Sequence, residues 1–290
     1  MIWLAWRRQR TQVLVSLGLI TLIAALFLVI GGFEPHSSND IINTLDTIVS
    51  PQFLVALPVL LGAFAGGPMF ARESSQGTGT FVLTQSASRL RWWACRVLIA
   101  TVPVTVALVI LSRVYYWTDN GPHPEIQLFT PDFEVSGTLL AAYYLLATAI
   151  GALSGLFVRR STAAIAITLA GYLAIAFVIG NFARPHLLPP AHDENAIVVT
   201  DETISFHGGG LITGYIYKDA EGNPMPEAQT CGTVVPDGDC LYDHRVSSAT
   251  AEYQPRSRYW SLQWIETAIV VALAGGVFAA GAWRLRRWHG

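Results

Sequence analysis

The sequence predicts an all-α polytopic membrane protein: six transmembrane helices with a small extracytoplasmic cap containing short strands. Three observations carry that prediction. Of the 290 residues, 52% are hydrophobic and only 13% charged, with a mean hydropathy of +0.43. Soluble domains carry about 25% charged residues, so this chain has too little charge to cover a water-facing surface of its size. Six apolar stretches approach the roughly 20 residues that a helix needs to cross a bilayer core. Finally, the arginines segregate along the chain. Disorder is excluded by the same composition, because it requires low hydrophobicity.

The chain opens with Ile2, Trp3 and Trp6 at helical spacing beside Arg7, Arg8 and Arg10. This predicts a short helix in the inner interface, with indoles among the headgroups and guanidiniums toward acidic lipid, or a plain orientation anchor. The first span covers residues 13–33; no small-residue cleavage site follows it, which argues against a signal peptide. The second, 53–70, is shorter and is interrupted by Pro58 and by Gly66-Gly67-Pro68. Its Gly62, Gly66 and Gly67 suit close helix packing, either within the chain or at a dimer seam. The third covers 94–116, with Cys95 as a packing residue at its start. The fourth, 135–158, is rich in Ala, Gly and Ser. The fifth covers 161–182 and the sixth 262–283. Glu266 lies about one turn into the sixth span and shares a helix face with Gln263. A carboxylate at that depth suits gating or proton linkage; the alternative is a structural pair at the interface, with Arg258 just outside.

Orientation follows from the basic residues, of which 17 are Arg and one is Lys218. With both termini inside, the cytoplasmic segments hold Arg7, Arg8, Arg10, Arg72, Arg89, Arg91, Arg96, Arg159, Arg160, Arg284, Arg286 and Arg287 against one acid, Glu73. The rest of the chain holds 6 basic residues and 19 acids, so +11 and −13 sum to the net charge of −2. The opposite topology would reverse the positive-inside rule. The expected organisation is therefore residues 1–182 for the interfacial helix and five spans, with an inner loop at 72–93. Residues 183–258 form an extracytoplasmic domain, and 259–290 the sixth span with a cytoplasmic tail.

The 183–258 segment holds 11 acids and 5 basic residues and loses helical periodicity. Residues 196–200, 203–206 and 211–217 alternate as short strands do. Cys231 and Cys240 both fall there, nine positions apart, in a compartment that permits a disulfide. His207 and His244 beside them match no standard zinc spacing, and no metal site is expected.

The inner loop is the most informative stretch. Gly77 and Gly79 break the chain direction, residues 80–85 suit a short turn presenting Phe81, Val82 and Leu83, and Ser86 or Ser88 suits an N-cap. Arg89 and Arg91 then sit near a helix N-terminus, where the dipole disfavours cations, so anionic lipid or a partner's acids must favour them. The run Arg72-Glu73, Gly77-Thr78, Phe81–Leu83, Thr84-Gln85-Ser86, Ser88-Arg89 and Trp92 resembles the inner loop of type-2 ABC transporter permeases, the six-helix exporter class, and in particular their actinobacterial branch. Residues 2–7, 184–190 and 253–260 with Gln263 and Glu266 resemble other parts of the same family, in the same order.

The resemblance implies a cytoplasmic ABC ATPase partner that binds ATP and Mg, a second permease (identical or homologous), and an inner loop docked on the ATPase through Arg72, Glu73, Gly77, Thr78, Phe81, Leu83, Ser88 and Arg89. It names no substrate. The chain itself is expected to be no enzyme and to need no cofactor. Lys218 lies outside any G-x-x-x-x-G-K-[ST] frame, and neither H-E-x-x-H nor G-x-S-x-G occurs. The basic residues line a membrane face rather than a nucleic-acid groove, so the bilayer is the expected contact. The expected function is an ATP-driven permease in the plasma membrane, an exporter. The competing readings are a sensor or regulatory subunit binding a ligand through the cap, and a structural scaffold.

Overall fold

The computed structural model describes residues 2–31, 50–76, 89–118, 131–158, 160–193, 197–200, 203–206, 210–231 and 238–287. They form two compact units: a helical one that extends to Val178 and resumes at Gln263, and a strand-containing one over Ile179–Leu262.

In the helical unit, α1 (Ile2–Gly31) is one uninterrupted helix. The expected interfacial segment and the first span are thus a single element; no Gly or Pro lies between Arg10 and Val13 to separate them. A four-residue helix, α2 (Pro51–Leu54), turns at Val55 and Ala56 into α3 (Leu57–Gln76). Pro58 accounts for this break: it lies in the first turn of α3, where a missing N–H costs nothing.

The interruption expected at Gly66-Gly67-Pro68 does not occur, because α3 runs through it. Pro68 cannot donate to the carbonyl four residues back, that of Phe64. The Gln12 side chain of α1 donates to that oxygen instead, at 3.2 Å. In a membrane a freed carbonyl has no water to turn to, so a neighbouring polar side chain is what allows the helix to continue.

Then follow α4 (Arg89–Thr118), α5 (Pro131–Val135), α6 (Leu139–Phe157), α7 (Ser161–Val178) and, after the strand unit, α9 (Tyr259–Arg287). Among the described residues, six stretches are long and apolar enough to cross a membrane: Gln9–Val29, Pro51–Ala71, Leu90–Thr118, Leu139–Phe157, Ser161–His186 and Tyr259–Arg287.

Two of them form the centre. The apolar windows of α6 and α3 are 83% and 72% buried, against 17–39% for the rest. Small residues explain the arrangement. A Cβ on Gly66 would lie 2.6 Å from the Thr148 carbonyl oxygen, and one on Gly151 would lie 2.8 Å from the Gly67 nitrogen. The two backbones touch, as small-residue faces permit where lipid removes any hydrophobic drive between helices. Gly62 and Gly66 are thereby used against α6 of the same chain, and Gly67 also meets α7 at Ile165. The dimer-seam alternative for these glycines is superseded by packing within the chain.

Larger side chains fill the flanks. Ile20, Leu57, Leu61, Val104, Leu108, Leu111, Leu140 and Tyr144 make one cluster. Met69, Phe70, Trp93, Val97, Leu156 and Leu285 make another.

In the strand unit the fifth span continues past α7 as a π-turn (Ile179–Ala183) and a 3-10 turn (Arg184–His186). A three-stranded antiparallel sheet follows, ordered β1 (Ala191–Asp193), β5 (Ser248–Pro255), β4 (Gly210–Lys218). A separate hairpin pairs β2 (Ile197–Thr200) with β3 (Thr203–Phe206), Val198 opposite Ser205. The three strands expected from alternation are present as β2, β3 and β4. The central strand, β5, lies where the sequence reads only as the approach to the last helix.

Tyr215 and Tyr217 stack on one face of β4 at 6.1 Å and pack with Ala228, Ala249 and Ala251, which is the unit's own apolar core. The short helix α8 (Gly238–Asp243) brings Cys240 to its edge.

Candidate functional site

The loop expected to couple to an ATPase begins and ends within described elements. Arg72 and Glu73 fall in the last turns of α3, and Arg89 is the first residue of α4. The side chains of these three residues, and Gly77, Thr78, Phe81, Leu83 and Ser88 entirely, lie outside the described residues.

What is described is the stem from which the loop leaves. Phe70 of α3 and Trp92 of α4 meet edge to face at 5.6 Å. The Arg96 guanidinium lies 5.3 Å from the Phe70 ring centroid and 5.2 Å from that of Trp92. Arg96 is only 6% exposed. Sequence reasoning counted it as one more charge in the inner cluster; its position two turns into an apolar helix was the signal that set it apart. Three other arginines stack similarly near helix ends: Arg7 on Trp3, Arg284 on Phe157 and Arg287 on Trp283, at 5.3, 5.0 and 4.2 Å. Each ring gives a guanidinium a cation–π contact.

A second polar group lies at the start of the sixth span. Glu266 and Gln263 are both fully buried. The Tyr143 hydroxyl of α6 donates to Glu266 Oε1 at 2.8 Å, and the Tyr143 ring meets Tyr172 of α7 edge to face at 5.8 Å. Gln263 Nε2 donates to the Phe133 carbonyl of α5. Its amide occupies the space that a side chain at Gly137 would fill. One turn on, the Thr267 and Thr138 hydroxyls are 2.8 Å apart. One face of α9 is thus fastened to the α5–α6 junction by three polar pairs. Gln263 and Glu266 lie on one face of α9, as their spacing implied. Tyr143, the partner that sequence reasoning missed, stood out only as a polar tip in an Ala-rich span.

Arg258 serves a different element. Its Nη1 donates to the Pro189 carbonyl at 2.6 Å and to Gln254 Oε1 at 3.1 Å, while Gln254 Nε2 donates to the Leu188 carbonyl at 2.7 Å. Ala191 pairs with Tyr253 in the sheet just beyond. The two sequence pieces at 184–190 and 253–260 are therefore hydrogen-bonded to each other, closing the strand unit where its chain enters and leaves.

At the far turn, Asp219 accepts from the Asn223 backbone N–H at 2.7 Å, and that bond holds its carboxyl below the usual range. Burial pushes the Tyr217 phenol up to about 12. Cys95 is a free thiol. The side chain of Cys231 lies outside the described residues, as does His207.

A family model described as ABC-2 membrane transporter related matches residues 36–184, just over half of the chain. The chain belongs to this family. The matched region contains α3, the loop and α4 with their stem, and the central α3–α6 seam. No curated protein and no solved structure matches the chain. As an ABC-2 family member the chain is a membrane permease component of an ABC transporter, a class whose ATP chemistry resides in an ABC ATPase partner.

Proposed function

We propose that this permease is an exporter of the plasma membrane, energised by a separate cytoplasmic ATPase subunit that docks on residues 72–93. The observation that carries the reading is the family match, which spans that loop together with the helices on either side. Phe81 and Leu83 supply apolar groups for a partner's groove, at about 1.5–3 kcal/mol for each side chain fully buried there. Closure of the ATPases on ATP shifts the loop as a body and opens a cavity between two permeases to alternate sides. ATP and Mg belong to the partner.

In this reading both termini and the loop face the cytoplasm, which the segregation of twelve arginines against Glu73 supports. The strand unit then lies outside. Cys231 and Cys240 form its disulfide, nine positions apart in a compartment that permits one. Gln263 and Glu266 hold the sixth span to the fourth through the cycle, and the inner arginines contact acidic lipid.

Two measurements test this. Membrane-impermeant thiol labelling of intact cells should reach a cysteine introduced at Asn223 and not one at Ser75; labelling at Ser75 rejects the orientation. Phe81→Asp and Glu73→Ala should insert normally yet lose the co-purifying ATPase, while Asp219→Ala keeps it. Full ATPase association in both loop variants rejects the docking site.

A further inference from the structure

We infer that Arg96 is the positioning residue of the coupling loop, clamping its two ends so that a push on the loop moves the second and third spans together. The inference rests on the permease reading for its purpose, but the clamp itself is a property of described residues. Loop 77–88 leaves α3 after Gln76 and rejoins the chain at Arg89. Phe70 lies six positions before the exit and Trp92 three after the return. They touch each other, and the Arg96 guanidinium covers both rings.

A cation in this position is unusual chemistry. A hydrophobic side chain would pack the same gap without the cost of burying a charge. Arginine adds something that an aliphatic group lacks: a rigid plane that holds two aromatic faces at once, in one geometry. Trp92 and Arg96 are also i, i+4 on α4, so the stack locks that helix's first turns as well as joining it to α3.

Mechanically this matters because a loop whose ends can splay absorbs displacement locally. With its stem pinned, displacement passes to α3. From there it passes directly to α6, whose backbone touches that of α3 at Gly66 and Gly151, and then to α9 through Tyr143 and Glu266. Each step is a direct contact.

Spin labels placed at Gln76→Cys and Leu90→Cys, in the full chain freed of its native cysteines and held in lipid nanodiscs, report the separation of the two loop ends. The expected result is a narrow distance distribution in the parent, a broad one with Arg96→Gln, and only partial narrowing with Arg96→Lys, which restores the cation but not the plane. In the transporter complex, Arg96→Gln should keep the ATPase bound. Its stimulation by transport substrate should fall by about fivefold or more, the lower end of typical allosteric coupling.

Equal widths in the parent and Arg96→Gln overturn the clamp whatever the ATPase does. A broadened stem with undiminished stimulation overturns its role in coupling. A broadened stem in a chain that binds no ATPase leaves the clamp standing and rejects the permease–ATPase docking instead. A merely structural Arg96 would lower the melting temperature without changing the ratio of stimulated to basal hydrolysis.

Discussion

The α3–α6 seam and the strand unit hold together by opposite means. At the seam, backbones meet through Gly66, Gly67, Gly151 and Gly155, and the contact is made by what is missing. In the strand unit, two tyrosines lie over three alanines, and the contact is made by what is present. Solvent explains the difference. Lipid is as apolar as leucine, so helices within it gain from close approach and not from hiding large side chains. A sheet with one wet face gains from burying aromatic area. The two regions should therefore fail under opposite substitutions.

The largest effect is expected for Tyr217→Ala, which removes a fully buried side chain from the smaller core. The cost is about 3–5 kcal/mol. Hydrogen exchange should rise across β4 and β5 while α3 and α6 keep their protection; uniform loss would mean that the two units fold as one.

Next is Gly151→Val, which forces apart backbones that cannot yield and costs about 1–3 kcal/mol or more. The melting temperature in detergent should fall, while Gly276→Val, facing open space, stays within about 0.5 kcal/mol of the parent.

A smaller change is expected for Tyr143→Phe, which removes the donor that Tyr143 offers Glu266. Polar pairs between membrane helices are worth roughly 0.6 kcal/mol and at most about 1.7. A larger loss would mark Glu266 as more than a fastening.

The last is a pH effect confined to the strand unit. Because burial raises the Tyr217 phenol to about 12, its contribution is complete below its unfolded pKa, near 10, and is lost as pH climbs toward 12. Tyrosine absorbance during alkaline titration should show this late component, and Tyr217→Phe should remove it.

Much of the architecture was legible because it is written in bulk properties. Span number follows from apolar length, and β2, β3 and β4 follow from alternation. What escaped detection did so for physical reasons. Strand β5 is built around Ala249 and Ala251, small residues with weak strand preference, and takes its form from pairing with β4. The helix break assigned to Pro68 was avoided by Gln12, a residue more than fifty positions away. The same holds for the site. Gln263 and Glu266 announced themselves as polar residues on one helical face. Tyr143 and Arg96, which give the pinned helices their geometry, are recognisable only once distant spans are side by side. Arg258 read as a neighbour of Glu266 by sequence, yet its hydrogen bonds close the strand unit.

The central claim is that this permease takes its energy from a separate ATPase through the loop between α3 and α4. Its most direct test is ATP hydrolysis by the complex purified through a tag on this chain and reconstituted in nanodiscs. The account predicts hydrolysis that requires the co-purified ATPase and rises with transport substrate, with Phe81→Asp abolishing that rise while the chain remains correctly inserted. Substrate-stimulated hydrolysis unchanged by Phe81→Asp and by Glu73→Ala would contradict it.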